Sequence, residues 1–313
     1  METTPSIRAG ISDACILLGG QPRSGTTLFS SILRCTTGHF QAFELHLRKP
    51  SFIAGLEGRY TRNIFGELGL DPEVYRSIIH SFDRTAEMNL GAWVGPREEV
   101  SAEELTGTET ANFAGELHAR CELVSRLMRE VARVQGVKSW GFKILGDVVY
   151  ADRLFEVWPQ ARMLLLVRDP RDQILSLMAL NEQRKERGQQ LFYDEIGAAA
   201  KGWRATIENA RLAASRAGTS LIEFKYEDLV FEPEATLTRL SSQLDLGLDL
   251  TSGLSFQDEE FVDQQQVRFK HHGNLKNPIN PSSVGKWRTE FSSEDAKIIE
   301  RETAPLFAEF GYE

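Results

Sequence analysis

Residues 15–35, with the sequence CILLGGQPRSGTTLFSSILRC, constrain the fold more than any other stretch of the chain. The apolar run 16–18 ends at Gly19-Gly20, a pattern typical of a buried strand that enters a turn. Apolar residues at helical spacing after Gly25 then predict an amphipathic helix. A strand, a glycine-bearing loop and a helix start together present free backbone N–H groups at the positive end of a helix dipole. The segment therefore predicts an anion site, most often a phosphate site.

This loop is close to a nucleotide-triphosphate P-loop but departs from it at one position. Gly20 and Gly25 have the P-loop spacing, whereas Thr26 and Thr27 stand where that pattern requires Lys followed by Ser or Thr. The missing Lys is the residue that reaches the terminal phosphates. The cation of this loop is Arg23, which lies inside it. An ATP-dependent kinase is therefore disfavoured, although it stays an alternative.

A second motif covers residues 161–178, with the sequence ARMLLLVRDPRDQILSLM. The continuous apolar run 163–167 predicts a fully buried parallel strand. Arg168 stands at the carboxyl end of that strand, where open α/β sheets bind ligands. Asp169 and Pro170 then predict the cap and the first turn of a helix that also carries Ser176. An arginine offers a planar fork of donors that matches phosphate oxygens, although a strand-end arginine is also typical of an ion pair with a nearby aspartate.

Length, charge and cysteine content limit the class of protein. The chain has 313 residues and no repeat or low-complexity linker, which favours a single α/β domain over 1–313. Its net charge of −9 argues against general nucleic-acid binding. We expect no membrane span and no signal peptide, because no long apolar run is present. The three cysteines are not at metal-ligand spacing, so we expect a reduced, cytoplasmic protein without a metal site.

The stretch PRSGTTL resembles the 5′-phosphosulfate loop of sulfotransferases that use 3′-phosphoadenosine 5′-phosphosulfate (PAPS), in the Arg-containing form of tyrosylprotein and many bacterial sulfotransferases. The resemblance implies that this loop binds the 5′-phosphosulfate through Arg23, Ser24, Gly25, Thr26 and Thr27. It also implies a P-loop-like three-layer fold, with a central parallel sheet flanked by helices. A helical insertion over residues 47–135 is expected to cover the acceptor pocket.

The same resemblance extends to three further stretches. Arg168 and Ser176 have the spacing of the Arg and Ser that bind the 3′-phosphate of PAPS. Tyr226, in a YEDL stretch, matches the Tyr that contacts the adenine. The stretch NPINPSSVGKW is similar to a loop that closes over the cofactor, so Lys286 is expected to bind PAPS and residues 271–280 to form the loop before it.

Four residues are candidates for catalysis, namely Arg23 in the loop and three residues outside it. The resemblance implies that Arg23 stabilises negative charge during the transfer. Glu44 lies 21 residues after Arg23, the distance at which tyrosylprotein sulfotransferases carry their general base. His46 is a rival base, because FELHL also resembles the ELHL stretch of sulfotransferase domains in polyketide assembly lines. Lys143 matches a Lys that stabilises charge on the sulfuryl group, and its alternative is a strand-end salt bridge.

Together these motifs predict transfer of a sulfuryl group from PAPS to a hydroxyl acceptor by in-line displacement. We expect the acceptor to be a small molecule, such as a natural product, lipid or acyl intermediate. Two alternatives remain open, namely an ATP-dependent kinase and a non-catalytic module that binds adenosine bisphosphate. Beyond the motifs, periodicity predicts helices ending near Arg187 and over 193–216, a strand over 219–226 and a helix from about Ser293.

Overall fold

The structure is a computed structural model that describes residues 15–44, 135–144, 148, 151–258 and 277–313, with scattered positions between 121 and 133. His46 and almost all of the insertion predicted over 47–135 lie outside these residues. The positions described between 121 and 133 are helical. Within the described part of the chain, no helix is both long and apolar enough to cross a membrane.

The centre of the fold is a five-stranded sheet in which every neighbouring pair is parallel. Its strand order is β2-β3-β1-β4-β5. The strands are β1 (Cys15–Gly19), β2 (His39–Glu44), β3 (Ser139–Lys143), β4 (Arg162–Val167) and β5 (Leu221–Lys225). The parallel sheet predicted from the buried apolar runs is thus confirmed.

The described helices connect and cover these strands. They are α1 (Thr26–Cys35), α2 (Ala151–Val157), α3 (Pro170–Glu186), α4 (Ile196–Ala217), α5 (Tyr226–Phe231), α6 (Pro233–Leu244), α7 (Trp287–Glu290) and α8 (Ser293–Glu309), with a 3₁₀ helix over Leu250–Asp258.

Strand alternation distributes the core between the two faces of the sheet. Ile16 and Leu18 of β1 belong to the same apolar cluster as Phe29 of α1. Leu17 points the other way and joins a second cluster that contains Trp203 of α4. Successive side chains of a strand face opposite sides, and a sheet covered on both sides needs apolar residues at every position. The continuous apolar runs therefore correspond to a three-layer α/β fold, as predicted.

One predicted strand is shorter in the structure. The prediction was a strand over 219–226, but β5 spans Leu221–Lys225 and Tyr226 begins α5. The last helix, α8, begins at Ser293 as predicted, and its cap is Ser292, whose hydroxyl accepts a hydrogen bond from the N–H of Asp295. The predicted cap of α3 is confirmed, since the Asp169 carboxylate accepts from the N–H of Arg171.

The topology creates a crevice between β1 and β4. These strands are adjacent, but the chain leaves β1 towards β2 on one side of the sheet and leaves β4 towards β5 on the other. Parallel α/β sheets bind ligands at such a point, outside the carboxyl ends of the strands. The loop at 20–25 and Arg168 both lie at this place, so the two motifs of the sequence meet there.

Candidate functional site

A cavity of about 410 Å³ is lined by the loop after β1, the first half of α3, the start of α5 and residues from the 277–290 segment. It brings together eight of the residues predicted from the sequence to hold an anionic nucleotide. They are Arg23, Gly25, Thr26, Thr27, Arg168, Ser176, Tyr226 and Lys286.

The N-terminus of α1 forms one wall of this cavity. Its cap is Gly25, with φ 101°, a left-handed conformation that favours glycine. A Cβ at Gly25 would lie 2.5 Å from Cδ2 of Tyr226, so the ring packs directly against the loop. Glycine leaves the helix without a capping side chain, and the N–H groups of the first turn have no partner within the helix. This wall can therefore donate several hydrogen bonds to an anion.

Arg23 adds a cation to the same wall. Its φ of 73° lies in the left-handed region, an uncommon and strained conformation for a non-glycine residue. The guanidinium Nε donates a hydrogen bond of 3.0 Å to Oγ of Ser176. Burial, followed by repulsion from Arg168, lowers the pKa of Arg23. A partly desolvated cation beside another cation is stabilised by an anionic ligand.

Arg168 spans the cavity between the loop and the 277–290 segment. Its Nη1 donates to the carbonyl of Arg23 at 3.1 Å, and its Nη2 donates to the carbonyl of Ser283 at 2.7 Å. The guanidinium carbon lies 4.6 Å from the centre of the Tyr226 ring. Its Nε is buried and has no hydrogen-bond partner among the described residues. A buried unpaired N–H is costly, so this donor favours a ligand atom.

The aspartates beside Arg168 are used elsewhere. Asp169 forms a 2.9 Å ion pair with Arg171. The carboxylate of Asp172 accepts from the main-chain N–H groups of Gly285 and Trp287. The strand-end ion pair considered for Arg168 is therefore not the arrangement found with these two aspartates.

Ser24 shapes the loop from behind. Its side chain is fully buried, and its hydroxyl donates to the carbonyl of Gln21 at 2.8 Å. Gln173 of α3 then donates to Oε1 of Gln21 at 2.6 Å and to the carbonyl of Pro22 at 3.1 Å. The conformation of the loop is thus held by α3. Sequence reasoning missed Gln21 and Gln173, since no motif marks them.

Lys143 and Glu44 end neighbouring strands. Lys143 is the last residue of β3, is buried, and lies in register with Leu18 of β1 and Glu44 of β2. The main chains of these two predicted residues therefore lie side by side at the carboxyl edge of the sheet. They lie on the side of β1 where β3 and β2 follow. His46 lies outside the described residues.

The 277–290 segment contributes residues that the motifs did not indicate. The hydroxyl of Ser283 forms a 2.7 Å hydrogen bond with the hydroxyl of Tyr226. Together with the carbonyl contact to Arg168, this places Ser283 in the wall of the cavity. Lys286 follows on the same segment, lines the cavity and is exposed. An Asn- and Pro-rich sequence predicted a loop here but could not indicate which side chains face the site.

A buried carboxylate supports the site from the rear. Glu227 accepts from the N–H of Asp169 at 2.9 Å and from the hydroxyl of Tyr312 at 3.1 Å. Burial raises the pKa of Glu227 above its usual value. These contacts link the residue after Arg168 to Tyr312, which follows α8, so the strand-end geometry depends on distant parts of the chain.

Comparison with known proteins agrees with this architecture. The model of the Sulfotransferase family matches residues 15–249, which is most of the chain. The chain therefore belongs to the sulfotransferase family, a family of transferases. No curated protein matches it.

Among solved structures, the sulfotransferase domain from the curacin biosynthetic pathway superposes with a TM-score of 0.58 and 18% identity, covering 97% of this chain and 99% of that one. The sulfotransferase STF9 from Mycobacterium avium gives a TM-score of 0.48 and 16% identity, covering 97% of this chain and 78% of that one. The first of these supports the sulfotransferase fold.

Proposed function

We propose that this protein transfers the sulfuryl group of PAPS to a hydroxyl acceptor. The observation that carries the proposal is the meeting of Arg23, Arg168, Ser176 and Tyr226 around one cavity at the crevice of the sheet. Two arginines, a helix N-terminus and an aromatic ring in one cavity suit a nucleoside that bears anionic groups at two positions.

The residues of the cavity fit such a ligand. Arg168 has five N–H donors, and the described contacts to carbonyl groups use two of its nitrogens. Its buried Nε lacks a partner among the described residues, so the site retains donors for a phosphate. At the other end, Arg23 and the first-turn amides of α1 are suited to a phosphosulfate. Tyr226 supplies an aromatic surface for the base, since every base can stack.

Residues of the chain have separate roles in the proposed reaction. Bound PAPS supplies an activated sulfuryl group. Arg23 and Lys143 stabilise the negative charge that develops on the phosphate side as the bond to sulfur breaks. Glu44 or His46 accepts the proton of the acceptor hydroxyl, because a neutral alcohol or phenol is a poor nucleophile. Donor and acceptor held in line react by direct displacement, as in phosphoryl transfer.

For the acceptor we propose a hydroxyl on a small molecule, such as a natural product or an acyl intermediate. The support is the stretch around Glu44 and His46, which is similar to sulfotransferase domains of polyketide assembly lines. A screen of hydroxyl compounds with PAPS, following the release of adenosine 3′,5′-bisphosphate, tests this part. Bisphosphate binding without turnover on any acceptor would favour a non-catalytic module.

Calorimetric binding of adenosine 3′,5′-bisphosphate and of ATP tests the cofactor. We expect the bisphosphate to bind more tightly than ATP, and Arg168→Ala to weaken it about tenfold or more, because hydrogen bonds to charged groups contribute about 1.5–3 kcal/mol. Arg162→Ala is the matched control. Arg162 starts the same strand at its opposite end, where its Nη1 donates to the carbonyl of Gln160. Tighter binding of ATP than of bisphosphate would contradict the proposal and favour a kinase.

A further inference from the structure

The first turn of α3 holds the 277–290 segment through a carboxylate. Asp172 is 2% exposed. Its Oδ2 accepts from the N–H of Gly285 at 2.6 Å, and its Oδ1 accepts from the N–H of Trp287 at 3.0 Å. A buried carboxylate is costly unless hydrogen bonds compensate its charge. Both oxygens of Asp172 are engaged with main-chain donors of the segment, so carboxylate and segment stabilise each other.

Arg171, the neighbour of Asp172, also contacts the 277–290 segment. The guanidinium carbon of Arg171 lies 3.8 Å from the centre of the Trp287 ring. Arg171 is itself fixed by ion pairs of 2.9 Å with Asp169 and with Glu300 of α8. Trp287 is therefore held by its ring, which packs on Arg171, and by its main-chain N–H, which donates to Asp172. Arg171 is in turn held by its two ion pairs.

These contacts determine where Lys286 lies. Asp172 binds the residues on both sides of it, and Gly285 takes φ 78° to make that possible. The main chain of Lys286 is thereby fixed, while its side chain remains exposed at the cavity. Ser283, two residues before Gly285, is brought to Arg168 and Tyr226.

The negative charge of Asp172 would by itself oppose the binding of an anion in this cavity. Asp172 lines the same cavity as Arg23 and Arg168. A carboxylate in the wall of an anion site repels the ligand and weakens binding if it has no other role. We propose that Asp172 is a positioning residue, which fixes the 283–287 segment so that Lys286 and Ser283 meet the nucleotide. This inference rests on the proposed function, because it takes the ligand to be an anionic nucleotide.

Asp172→Asn distinguishes a positioning role from a simple effect of charge, because the two predict opposite changes in the affinity for adenosine 3′,5′-bisphosphate. Asn removes the negative charge, which alone would tighten binding of adenosine 3′,5′-bisphosphate. It also replaces one acceptor oxygen by an NH₂ group that cannot accept from a main-chain N–H. We expect the bisphosphate Kd and the KM for PAPS to rise about tenfold, with a smaller change in kcat. Binding as tight as that of the wild type, or tighter, overturns the proposal.

Glu290→Gln is the matched control for charge. Glu290 lines the same cavity on the same segment and is exposed. Removing its charge leaves both hydrogen bonds of Asp172 in place. We expect bisphosphate binding to be unchanged or slightly tighter. A loss as large as that of Asp172→Asn would mean that replacing any carboxylate of this cavity weakens binding, whether or not it holds Gly285 and Trp287, and would overturn the positioning role.

A double-mutant cycle with Lys286→Ala tests the coupling. If Asp172 acts through Lys286, Lys286→Ala weakens bisphosphate binding severalfold in the wild type and much less in the Asp172→Asn background. Purely additive losses would overturn the proposal. The melting temperature of each variant is measured alongside, since a merely structural role lowers it without producing this coupling.

Amide hydrogen exchange tests, without a variant, the anchor formed by Asp172 and the N–H groups of Gly285 and Trp287. In the ligand-free wild type, the N–H groups of Gly285 and Trp287 should be protected, and in Asp172→Asn their exchange should accelerate while the strands stay protected. Rapid exchange of both in the wild type overturns the anchor, even if Asp172→Asn does not fold. Failure of the wild type to bind the bisphosphate overturns the proposed function instead, and the exchange data still decide whether Asp172 holds the segment.

Discussion

Arg168 donates a hydrogen bond of 3.1 Å from Nη1 to the main-chain carbonyl of Arg23, although 145 residues separate them. The contact joins the loop after β1 to the end of β4 and makes one site of two sequence motifs. It uses the backbone of Arg23, so the side chain of Arg23 stays available for Ser176 and for a ligand. The loop and the second arginine are therefore expected to respond differently to substitution.

Replacing Arg23 should separate backbone strain from ligand binding. Arg23→Ala keeps the left-handed φ of 73°, whereas Arg23→Gly relieves its cost. We expect the glycine variant to be more stable than the alanine variant by about 1 kcal/mol in urea unfolding. Both should lose adenosine 3′,5′-bisphosphate affinity to a similar extent in calorimetry, because both lack the cation. Equal stabilities would show that the loop relaxes and that no strain is held at this position.

Gly25→Ala should damage both fold and site. The added Cβ meets the ring of Tyr226 at 2.5 Å and also requires φ 101°. Gly188→Ala is the control, because Gly188 has φ 61° and no atom within 4 Å of the added Cβ. We expect urea unfolding to show a loss for Gly25→Ala that exceeds the loss for Gly188→Ala by about 1–3 kcal/mol, the usual cost of overpacking. A smaller difference would mean that Tyr226 moves aside easily.

His39 should make stability fall in acid. Its Nδ1 lies 2.8 Å from the Ser139 hydroxyl and its Nε2 lies 3.0 Å from Oε1 of Gln41, which suits a neutral ring. Burial lowers the pKa of His39 from 6.5 to about 4. The unfolded chain binds this proton first, so the free energy of unfolding is highest above pH 6.5 and falls as the pH drops towards 4.

The size of this loss is on the order of 3 kcal/mol if the full pKa difference is expressed. Urea unfolding between pH 7 and pH 4 measures it, with His39→Gln as the variant that should lack this part of the pH dependence. Proton NMR offers a direct check, because the ring signals of His39 should not titrate above pH 5. A midpoint near the usual histidine value would contradict the prediction.

Glu44→Gln and His46→Asn should identify the proton acceptor. Loss of a general base lowers kcat by about 10²–10⁴-fold, while nucleotide binding is retained. We expect the larger loss with Glu44→Gln, measured as bisphosphate release from PAPS in the presence of a hydroxyl acceptor. The affinity for adenosine 3′,5′-bisphosphate serves as the internal control. A large loss with His46→Asn alone would assign the proton to His46.

Much of the fold could be predicted because its signals are local. The apolar run before Arg168 became β4, and Asp169-Pro170 became the cap and first turn of α3. Both depend on which side chains follow one another, and a parallel strand buried on both faces leaves a continuous apolar run. The prediction was wrong for Tyr226, which starts α5. An aromatic residue has high strand propensity, but propensity does not determine where a strand ends.

The candidate site was predicted in part. The sequence motifs predicted the cavity residues that belong to them. They did not predict the contacts of Ser283 and Gln173 or the role of Asp172 in holding the 277–290 segment. Asp172 and Gln173 bind main-chain groups far away in the sequence, and Ser283 offers its own carbonyl to the distant Arg168. A carbonyl or an N–H group is the same in every residue, so its partner leaves no mark in the sequence around it.

By itself, then, the sequence determined the strand–loop–helix at residues 15–35, the buried strand before Arg168 and the residue types suited to phosphate. Spacing and side-chain chemistry are local properties of a chain. Only the tertiary structure decided that Arg168 holds the carbonyls of Arg23 and Ser283, and that Asp172 fixes Gly285 and Trp287. The physical reason is that the order of parallel strands brings distant segments to one edge of the sheet, and hydrogen bonds between them form only once that order exists.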